Sequence, residues 1–414
     1  MKRPFYFEET KRFGTLGRAG IIHTPHGDIR TPAFMAVGTK GEVKYLSFDD
    51  LHETGAQAML SNGYHLRRQS PEIAEAGGLA SWSTWHGPTL TDSGGFQVMS
   101  LGSGLGKVVS YDRAELEGGA SKNGTVRIKA TNTAHKERLA KITDKGVSFT
   151  DPFDGQPDFI GPEESMQIQC RIGADIHMAF DELTSLADDY DYNVEALKRT
   201  EKWARRSLKE HLKHRDDLGY HQSLYAVLQG GRWEDLRRST AKKLAKMTVA
   251  GTQFDGFGLG GAFLKEDLGN ILRWCNEELP ANKPRHLLGL SHPDDIFVGV
   301  ENGADTFDCV APTREARHGK IYTRDGEINL RKFANDERPL DLDCDCATCK
   351  AGYTRASLRA LWKSGDPDLK RAYWRLASIH NLRFIVRLTE EIRESILNDN
   401  FETYKTEFLQ RYYH

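Results

Sequence analysis

The sequence predicts an α/β protein: a (β/α)8 barrel of the TIM type, preceded by an antiparallel β meander and followed by a smaller C-terminal unit. The length of 414 residues exceeds what one compact core usually fills. The first 30 residues alternate short β-prone runs with Gly and Pro turns, which is typical of a meander. Eight short apolar runs then recur, separated by longer polar or amphipathic stretches: PAFMAVGT, AQAMLSNG, TLTDSGG, DIHMAFDE, LYAVLQGG, FDGFGLGG, RHLLGL and DTFDCVAP.

One stretch between two of these runs shows helical periodicity. In NVEALKRTEKWARRSLKEHL, charged residues separate apolar residues that recur at helical spacing. The pattern predicts a helix that packs one face against the sheet. The predicted face consists of Val194, Leu197, Ala204, Leu208 and Leu212.

Polar residues and glycines lie at or just after the ends of the predicted strands. In a barrel, the carboxyl ends of the strands form the edge that holds the active site. An open, doubly wound sheet would also bind ligands at that edge and remains an alternative. The residues at these ends are Asp92, Asp181, Gln229, Gly260, Gly261 and Asp308.

The bulk composition indicates a folded protein without a membrane segment. Hydrophobic residues make up 38% of the chain and aromatic residues 10%, which is enough for a sizeable core. The N-terminus lacks the apolar stretch of a signal peptide, and no run approaches the roughly 18 to 20 apolar residues of a membrane span. We therefore expect a cytoplasmic protein. The net charge of −2 does not indicate a nucleic-acid partner, so any RNA contact must come from local patches.

Residues 101–140 interrupt the repeat after the third barrel strand. The segment is rich in Gly and, over residues 101–141, contains more Lys and Arg than Asp and Glu. We interpret it as an insertion that forms a solvated surface excursion.

Three thiols lie within six residues near the C-terminus: Cys344, Cys346 and Cys349. They are too close for unstrained disulfides and well suited to one tetrahedral ion. His380, one helix-length further on, completes a Cys3His set. Four protein ligands leave no open position, so we predict one structural Zn²⁺ per chain, with a redox or incidental cluster as the alternative. The predicted domains are residues 1–335, the meander and barrel, and residues 336–414, a zinc-binding subdomain with C-terminal helices.

The six cysteines are too sparse for the disulfide framework of a secreted protein. Outside the cluster, Cys170, Cys275 and Cys309 stand in apolar surroundings, which predicts buried thiols. The C-terminal unit also interleaves aromatic and basic residues, a pattern typical both of nucleic-acid contacts and of solvated helix faces. These residues are Tyr353, Arg355, Arg359, Trp362, Lys363, Lys370, Arg371, Tyr373, Trp374 and Arg375.

Two carboxylates at strand ends are candidates for catalysis. Asp92 lies in the run LTDSGGFQVMS, where glycines beside an aromatic residue allow the backbone to approach a flat ligand. Asp308 ends the run DTFD and precedes CVAPTR. Two carboxylates that face one cleft are the standard equipment for chemistry at an anomeric carbon, one as nucleophile and one as acid/base.

Together these motifs resemble the tRNA-guanine transglycosylases of the queuosine pathway. The resemblance extends from the meander to the C-terminal helix and is interrupted chiefly by the insertion after Ser100. The motifs that carry it, in the order of the family, are TDSGGFQV, MAFDE, LQGG, GLGG, FDCVAPTR with Arg317-His318-Gly319, and CxCxxC with a distant His.

The resemblance implies roles for these residues. Asp308 would attack the ribose anomeric carbon and hold the RNA covalently, and Asp92 would transfer the proton of the leaving or entering base. The exchange would be ping-pong, without nucleotide hydrolysis or a redox cofactor. The partners implied are a tRNA anticodon loop with its guanine flipped out, a free 7-deazaguanine base and a second copy of the chain. The remaining implied roles are guanine-edge recognition by Asp181 and Gln229, backbone contacts at Gly260 and Gly261, base stacking by Phe96 and Leu288, and RNA binding by Arg314 and Arg317.

Three positions depart from the pattern of that family. Gly63 stands where Thr is usual, so the local loop is expected to differ. Members specific for 7-aminomethyl-7-deazaguanine usually carry Cys at the position of Leu183 and Val at the position of Leu264. Queuine-specific members have Gly near the position of Leu264. Two leucines leave less room than a Gly-containing pocket, so we expect the smaller base, 7-aminomethyl-7-deazaguanine, to be preferred.

Four alternatives remain open at this point. The first is a queuine-salvaging relative, and the second is a relative that inserts deazaguanines into DNA. The third is a non-catalytic partner subunit, although both carboxylates are present. The fourth is a metal-dependent barrel hydrolase, although the strand ends offer mostly Asp, Gln and Gly.

Overall fold

The N-terminal strands form the predicted meander. The computed structural model describes residues 4–103 and 140–414. Strands β1 (Tyr6–Phe13), β2 (Gly17–Thr24) and β3 (Gly27–Thr31) pair antiparallel in the order of the chain. Arg18 on β2 is fully buried and forms a bidentate ion pair with Asp305, whose oxygens lie 2.8 and 2.6 Å from Nε and Nη2. Because Asp305 precedes a barrel strand, the meander covers the amino-terminal mouth of the barrel and leaves the carboxyl-terminal mouth open.

The predicted barrel is confirmed. Eight parallel strands close in the order β10-β11-β12-β13-β14-β4-β5-β6, and each predicted apolar run supplies one of them. Inward-facing residues such as Leu90, Ile176 and Tyr225 pack with the meander in one apolar cluster. The barrel strands are β4 (Ala33–Val37), β5 (Met59–Asn62), β6 (Thr89–Asp92), β10 (Ile176–Met178), β11 (Ser223–Leu228), β12 (Gly256–Leu259), β13 (Arg285–Leu287) and β14 (Thr306–Asp308).

Helices surround the barrel and pack their apolar faces on it. The longest of this layer is the predicted one, α7, which begins after the N-cap Asp189. Leu197, Ala204 and Leu208 are buried as expected, whereas Val194 and Leu212 are half-buried at the edges of the face. The helices between the strands are α1 (Phe48–Glu53), α2 (Gly63–Leu66), α3 (Ser70–Glu75), α4 (Leu79–Trp82), α5 (Gly95–Ser103), α6 (Pro162–Ile172), α7 (Tyr190–His214), α8 (Glu234–Lys246), α9 (Leu268–Asn276), α10 (Pro293–Glu301) and α11 (Ala311–Arg317).

A small antiparallel sheet stands between α5 and α6. It consists of β7 (Ala140–Thr143), β8 (Gly146–Thr150) and β9 (Pro157–Ile160). Phe149 and Ile160 of this sheet pack against Val98 on α5. Most of the predicted insertion, residues 104–139, lies outside the described residues.

The C-terminal elements form a second apolar cluster and also join the barrel core. In the helix α14, Tyr373 and Ala377 pack with Leu358 in the C-terminal cluster, whereas Ile385 and Ile392 belong to the large core around the barrel. The predicted domain boundary between residues 335 and 336 stays a prediction. These elements are β15 (Lys320–Thr323), β16 (Gly326–Asn329), a 3-10 turn (Leu330–Lys332), α12 (Ala347–Lys350), α13 (Arg355–Lys363), α14 (Pro367–Leu397) and α15 (Phe401–Tyr413). Within the described ranges, no helix combines the length and apolar character needed to cross a membrane.

Candidate active site

Asp92 ends β6 at the open mouth of the barrel and its carboxylate receives three hydrogen bonds. Oδ1 accepts from the backbone N–H groups of Gly63 and Gly94, each at 3.2 Å, and Oδ2 accepts from the Asn62 amide at 2.6 Å. Asn62 caps α2, because its Oδ1 accepts from the backbone N–H of His65 at 2.9 Å. This cap fixes the amide orientation, so the NH2 group faces Asp92.

Glycine is required on both sides of this carboxylate. Gly94 has φ +77°, and an added Cβ would lie 2.8 Å from the side chain of Tyr64. At Gly63, where the resembling family usually has Thr, an added Cβ would lie 2.7 Å from the backbone oxygen of Asp92. The loop at Gly63 thus approaches the β6 backbone too closely for a side chain, and the expected difference from the family at this loop stays a prediction.

The cleft changes the protonation of Asp92. Burial raises the pKa of Asp92 to about 7, the hydrogen bonds from Gly63, Asn62 and Gly94 oppose the increase, and the negative charge of Asp308 adds to it. Both carboxylates lie at the carboxyl ends of barrel strands, β6 and β14. A carboxyl group that titrates near neutral pH can both donate and accept a proton there.

We expect the raised pKa to appear in the pH dependence of stability. A carboxyl whose pKa is higher in the folded state stabilises the fold fully below its unfolded pKa of 3.8, and this stabilisation is lost as pH rises through about 7. Relative to Asp92→Asn, the wild type should therefore lose on the order of 2 kcal/mol between pH 5 and pH 8. Urea unfolding of both proteins at the two pH values measures this difference.

The matched control for this comparison is Asp368→Asn, because the Asp368 side chain is 88% exposed. Its stability should follow that of the wild type at both pH values. Identical pH profiles for the wild type and Asp92→Asn would show that Asp92 titrates normally.

Asp308 ends β14 and is held through one of its two oxygens. Oδ1 accepts from the backbone N–H of Gly289 at 3.0 Å and from Nε2 of His286 at 3.1 Å. His286 on β13 is fully buried, and its Nδ1 lies 2.9 Å from the Thr306 hydroxyl. Because a carboxylate only accepts hydrogen bonds, Nε2 of His286 is the donor to Oδ1 of Asp308. Among the described residues, no donor contacts Oδ2, so that oxygen is open to the cleft.

Asp181 and Gln229 lie together after β10 and β11. Nε2 of Gln229 donates to Oδ2 of Asp181 at 2.7 Å, while Oε1 of Gln229 is buried without a partner in the described structure. Burial raises the pKa of Asp181 to about 6, and the hydrogen bond from Gln229 lowers it. A buried amide oxygen without a donor is suited to a ligand N–H group.

Gly260 and Gly261 follow β12 beside this pair. An added Cβ at Gly260 would lie 2.9 Å from Nε2 of Gln229 and 3.4 Å from a methyl group of Leu288. These contacts show that Gly260, Gln229 and Leu288 line one part of the mouth. Gly261 has φ +130°, and a Cβ there would lie 2.4 Å from the guanidinium of Arg237.

Two residues that support the site were not predicted from the sequence. Buried Arg237 donates to the carbonyls of Gly260 and Gly231 at 2.8 Å each, which fixes the turns after β12 and β11. His286 was missed as well, because the run RHLLGL gives no signal that its histidine reaches Asp308. The alternation of a strand shows only that His286 and Leu287 face opposite sides.

The predicted stacking residues lie at the same mouth with different exposures. Phe96 is 36% exposed on α5, and Leu288 is half-buried after β13. Leu183 is half-buried two residues after Asp181, and Leu264 is buried three residues after Gly261.

The two predicted RNA-binding arginines lie on α11. Arg314 is exposed, and Arg317 is half-buried with one guanidinium nitrogen that has no partner among the described residues. Burial lowers the pKa of Arg317, and the neighbouring charge of Arg314 adds to this effect. Two cations three residues apart on one helix give this part of α11 a local positive charge.

The interleaved aromatic and basic residues do not form one continuous patch. Tyr373 is fully buried and donates to the carbonyl of Ala316, so it is not available for stacking. Arg375 forms an ion pair with Asp50. Trp374 stacks on Tyr45, with ring centroids 4.7 Å apart.

The four predicted metal ligands converge. Nδ1 of His380 lies 3.5, 3.5 and 3.3 Å from the sulfurs of Cys344, Cys346 and Cys349. Thiolate and imidazole ligands around one tetrahedral ion, at about 2.3 and 2.0 Å from it, would be about 3.5 Å apart. Nε2 of His380 donates to the carbonyl of Tyr322 at 2.7 Å, which aims Nδ1 at the sulfurs. The cluster is consistent with a structural metal site. Outside it, Cys170 and Cys275 are buried as predicted, and Cys309 is half-buried.

Comparisons with known proteins agree with this geometry. A sequence model described as "TGT: Queuine tRNA-ribosyltransferase" matches residues 14–113 and 126–414. The queuine tRNA-ribosyltransferase of Fusobacterium nucleatum subsp. nucleatum is 38% identical over 419 residues, which cover 100% of this chain and 99% of the relative. The protein of the same name from Caldanaerobacter subterraneus subsp. tengcongensis is 40% identical over 403 residues, covering 96% and 95%. That from Halothermothrix orenii is 40% identical over 406 residues, covering 97% and 96%.

Proposed function

We propose, from the premise that this chain belongs to the queuine tRNA-ribosyltransferase family, that it exchanges the wobble guanine of tRNA for a 7-deazaguanine base through a covalent aspartyl-ribose intermediate. Membership in the family makes the chain a tRNA-guanine transglycosylase, which is a pentosyltransferase. The observation that carries the finer proposal is the carboxylate pair. Asp308 has one oxygen held by two donors and one oxygen open, while Asp92 titrates near neutrality across the same cleft.

In the first half-reaction, Oδ2 of Asp308 attacks C1′ of the ribose as the C1′–N9 bond breaks. Asp92 in its protonated form gives its proton to the departing guanine. In the second half-reaction the entering base gives a proton to the Asp92 carboxylate and attacks C1′, and the bond to Asp308 breaks. The step is reversible because a carboxylate is both a moderate nucleophile and a tolerable leaving group.

Recognition of the base follows from the donors and acceptors at the strand ends. Asp181 offers acceptor oxygens to the N–H groups of a guanine edge, and Gln229 offers an amide that is partly unsatisfied. Gly260 and Gly261 allow the backbone to approach the ring, because a side chain would collide there. Phe96 and Leu288 are proposed to cover the two faces of the base.

The tRNA is proposed to bind along α11 and the C-terminal elements. Arg314 and Arg317 are the cations nearest to Asp308 in the sequence, and the exposed guanidinium of Arg314 is proposed to contact phosphates of an anticodon loop, with Arg317 adding positive charge behind it. The exchanged nucleotide must leave the base stack to reach the mouth of the barrel. A tRNA substrate agrees with a cytoplasmic location, and we also propose that the chain forms a homodimer.

We propose that the ion of the Cys3His cluster is Zn²⁺, one per chain. Three thiolates and one imidazole are the donors that zinc prefers, and the sulfur-to-nitrogen separations suit its tetrahedral geometry. With four protein ligands the ion would hold the C-terminal elements together and would have no position for substrate.

The reaction and the partner can be tested together by incubating the protein with labelled guanine and either unmodified tRNA or double-stranded DNA. Label is expected in the tRNA only. Label in the DNA would favour a DNA-directed relative, and label in neither nucleic acid would contradict base exchange.

For the incoming base, we expect 7-aminomethyl-7-deazaguanine to be used about tenfold to a hundredfold better than queuine. Leu183 and Leu264 reduce the space for the larger substituent, and overfilling an apolar pocket costs on the order of 1 to 3 kcal/mol. Competition between the two free bases for exchange into guanine-containing tRNA measures the preference. Leu264→Ala should increase the use of queuine. A lower Michaelis constant for queuine in the wild type would show that Leu264 does not face the substituent.

A further inference from the structure

A second group of thiol and imidazole ligands lies behind the barrel wall, away from the active site and from the Cys3His cluster. Cys170 on α6, His177 on β10 and His211 on α7 are buried, and their ligand atoms all lie within 4.8 Å of one another. The Cys170 sulfur lies 3.9 Å from Nδ1 of His177 and 3.7 Å from Nδ1 of His211. Since Ile176 and Met178 face the barrel interior, His177 faces the helices.

These separations fit a trigonal ion. A thiolate at about 2.3 Å and an imidazole nitrogen at about 2.0 Å from an ion, separated by 120° in one plane, are about 3.7 Å apart. Trigonal sites of two histidines and one cysteine are an established geometry for copper, and soft thiolate ligands also select Zn²⁺. We propose that Cys170, His177 and His211 bind one thiophilic d¹⁰ metal ion, Cu⁺ or Zn²⁺.

The hydrogen bonds of the two histidines are compatible with an ion. Nε2 of His211 lies 3.0 Å from the carbonyl of Gln222 and must donate to it, so the lone pair of Nδ1 faces Cys170. The same arrangement orients His380 in the Cys3His cluster, where Nε2 donates to a backbone carbonyl and Nδ1 faces sulfur. The His177 ring also interacts with the backbone of Ala174, and its Nε2 has no hydrogen-bond partner among the described residues. Nδ1 of His177 is free to ligate when the ring proton is on Nε2.

The charge of the site favours one of the two ions. A thiol binds a metal ion as the thiolate, after losing its proton, and an imidazole binds through the lone pair of one nitrogen. One Cu⁺ and one thiolate carry no net charge together, whereas Zn²⁺ would leave one positive charge in a buried site. We therefore expect Cu⁺ to be retained more tightly.

An ion at this site would connect α6, β10 and α7 behind the end of the strand that leads to Asp181. Gln169, next to Cys170, already bonds the main chain of Met178 on β10, accepting at 3.1 Å and donating at 2.9 Å. Asp181 follows three residues after Met178. The ion would reinforce this connection and add α7 to it through His211.

The test is the number of metal ions bound per chain by the full-length protein. Wild type, Cys170→Ser and Cys275→Ser are incubated anaerobically with Cu⁺ or with Zn²⁺, freed of loosely bound metal, and analysed by elemental mass spectrometry. Cys275→Ser is the control, because Cys275 is fully buried but belongs to no ligand group in the described structure. The serine at position 170 keeps a hydrogen-bonding group while removing the thiolate.

We expect wild type and Cys275→Ser to bind one more equivalent of Cu⁺ or Zn²⁺ than Cys170→Ser. X-ray absorption of that equivalent should show one sulfur and two nitrogen neighbours. His177→Leu should also bind one metal ion fewer than the wild type. It replaces Cys170→Ser in the comparison if Cys170→Ser does not fold. Equal metal content in wild type, Cys170→Ser and His177→Leu, with both ions, would overturn the proposal and leave the trio as a hydrogen-bonded part of the core.

Discussion

Replacing Asp308 by Asn is expected to lower the rate of base exchange by at least about 10³-fold and to abolish the covalent RNA adduct. Asn is isosteric with Asp, and its Oδ1 can still accept from Gly289 and His286. The open position facing the cleft, however, becomes an uncharged NH2 group that cannot attack C1′. Affinity for tRNA should change little, because Arg314 and Arg317 on α11 are untouched.

A denaturing gel with labelled tRNA reports the adduct, and a filter-binding assay reports affinity. Asp399→Asn is a suitable control, since the Asp399 side chain is 79% exposed and pairs with Lys11 away from the mouth of the barrel. A covalent band that persists in Asp308→Asn would identify another residue as the nucleophile. Loss of tRNA binding in that variant would instead indicate that Asp308 holds the RNA rather than reacting with it.

The neighbours of Asp308 determine which of its two oxygens has no hydrogen bond. His286 and Gly289 both donate to Oδ1, and they come from β13 and the turn after it rather than from β14 itself. Adjacent parallel strands bring their carboxyl ends to the same height, so a carboxylate on one strand is oriented by a donor on the next. Thr306, two residues before Asp308 on the same strand, forms a hydrogen bond with Nδ1 of His286 and so helps to orient the ring.

The barrel could be predicted from the sequence because its signal is repeated. Each of the eight apolar runs is short, but their regular alternation with longer amphipathic stretches leaves few other architectures. The position of Asp92 and Asp308 at strand ends follows directly from that alternation. The Cys3His ligands could be predicted equally well from the sequence, because three of them lie within six residues.

The supporting interactions could not be predicted, because they join residues distant in sequence. Arg237 on α8 reaches the carbonyl of Gly260, and Arg18 on β2 reaches Asp305. Both arginines are fully buried, whereas charged residues in a sequence are normally expected at the surface. Tyr373 shows the converse error. Its position among basic residues suggested a surface contact with RNA, but the side chain is fully buried.

The pKa of Asp92 is also a property of the fold rather than of its sequence motif. The glycines of TDSGG suggest a backbone that approaches a flat ligand, but they do not show that the carboxylate accepts hydrogen bonds from the N–H groups of Gly63, which follows another strand, and of Gly94. Those bonds favour the ionised form. The increase in pKa to about 7 arises because burial outweighs them, and burial depends on the whole mouth of the barrel.

Loss of the C-terminal metal ion is expected to have the largest effect on stability. Structural zinc of this ligand type contributes about 10 to 16 kcal/mol of apparent binding free energy at neutral pH, which exceeds the stability of most domains. Cys346→Ser should therefore lose the ion and unfold the segment around α12. Cys346 is the N-cap of α12, where its sulfur accepts from the backbone N–H of Cys349 at 3.3 Å. Serine is a preferred N-cap residue, so this substitution removes the ligand without removing the cap.

Loss of the metal ion should affect the binding of tRNA more than the binding of the free base. Asn381, next to His380, donates to the carbonyls of Pro312 and Lys320 at 3.0 Å each, which ties α14 to α11 and the strand that follows. Loss of the ion should therefore displace Arg314 and Arg317 and weaken tRNA binding, while the barrel retains a pocket for the free base. Zinc content, thermal unfolding and calorimetry with the base and with tRNA separate these effects in Cys346→Ser, with Cys275→Ser as the control. A Cys346→Ser protein that keeps one bound zinc ion and the thermal stability of the wild type would contradict the prediction. It would show that the Cys346 thiolate is not needed to bind the ion or to hold α12 against α14.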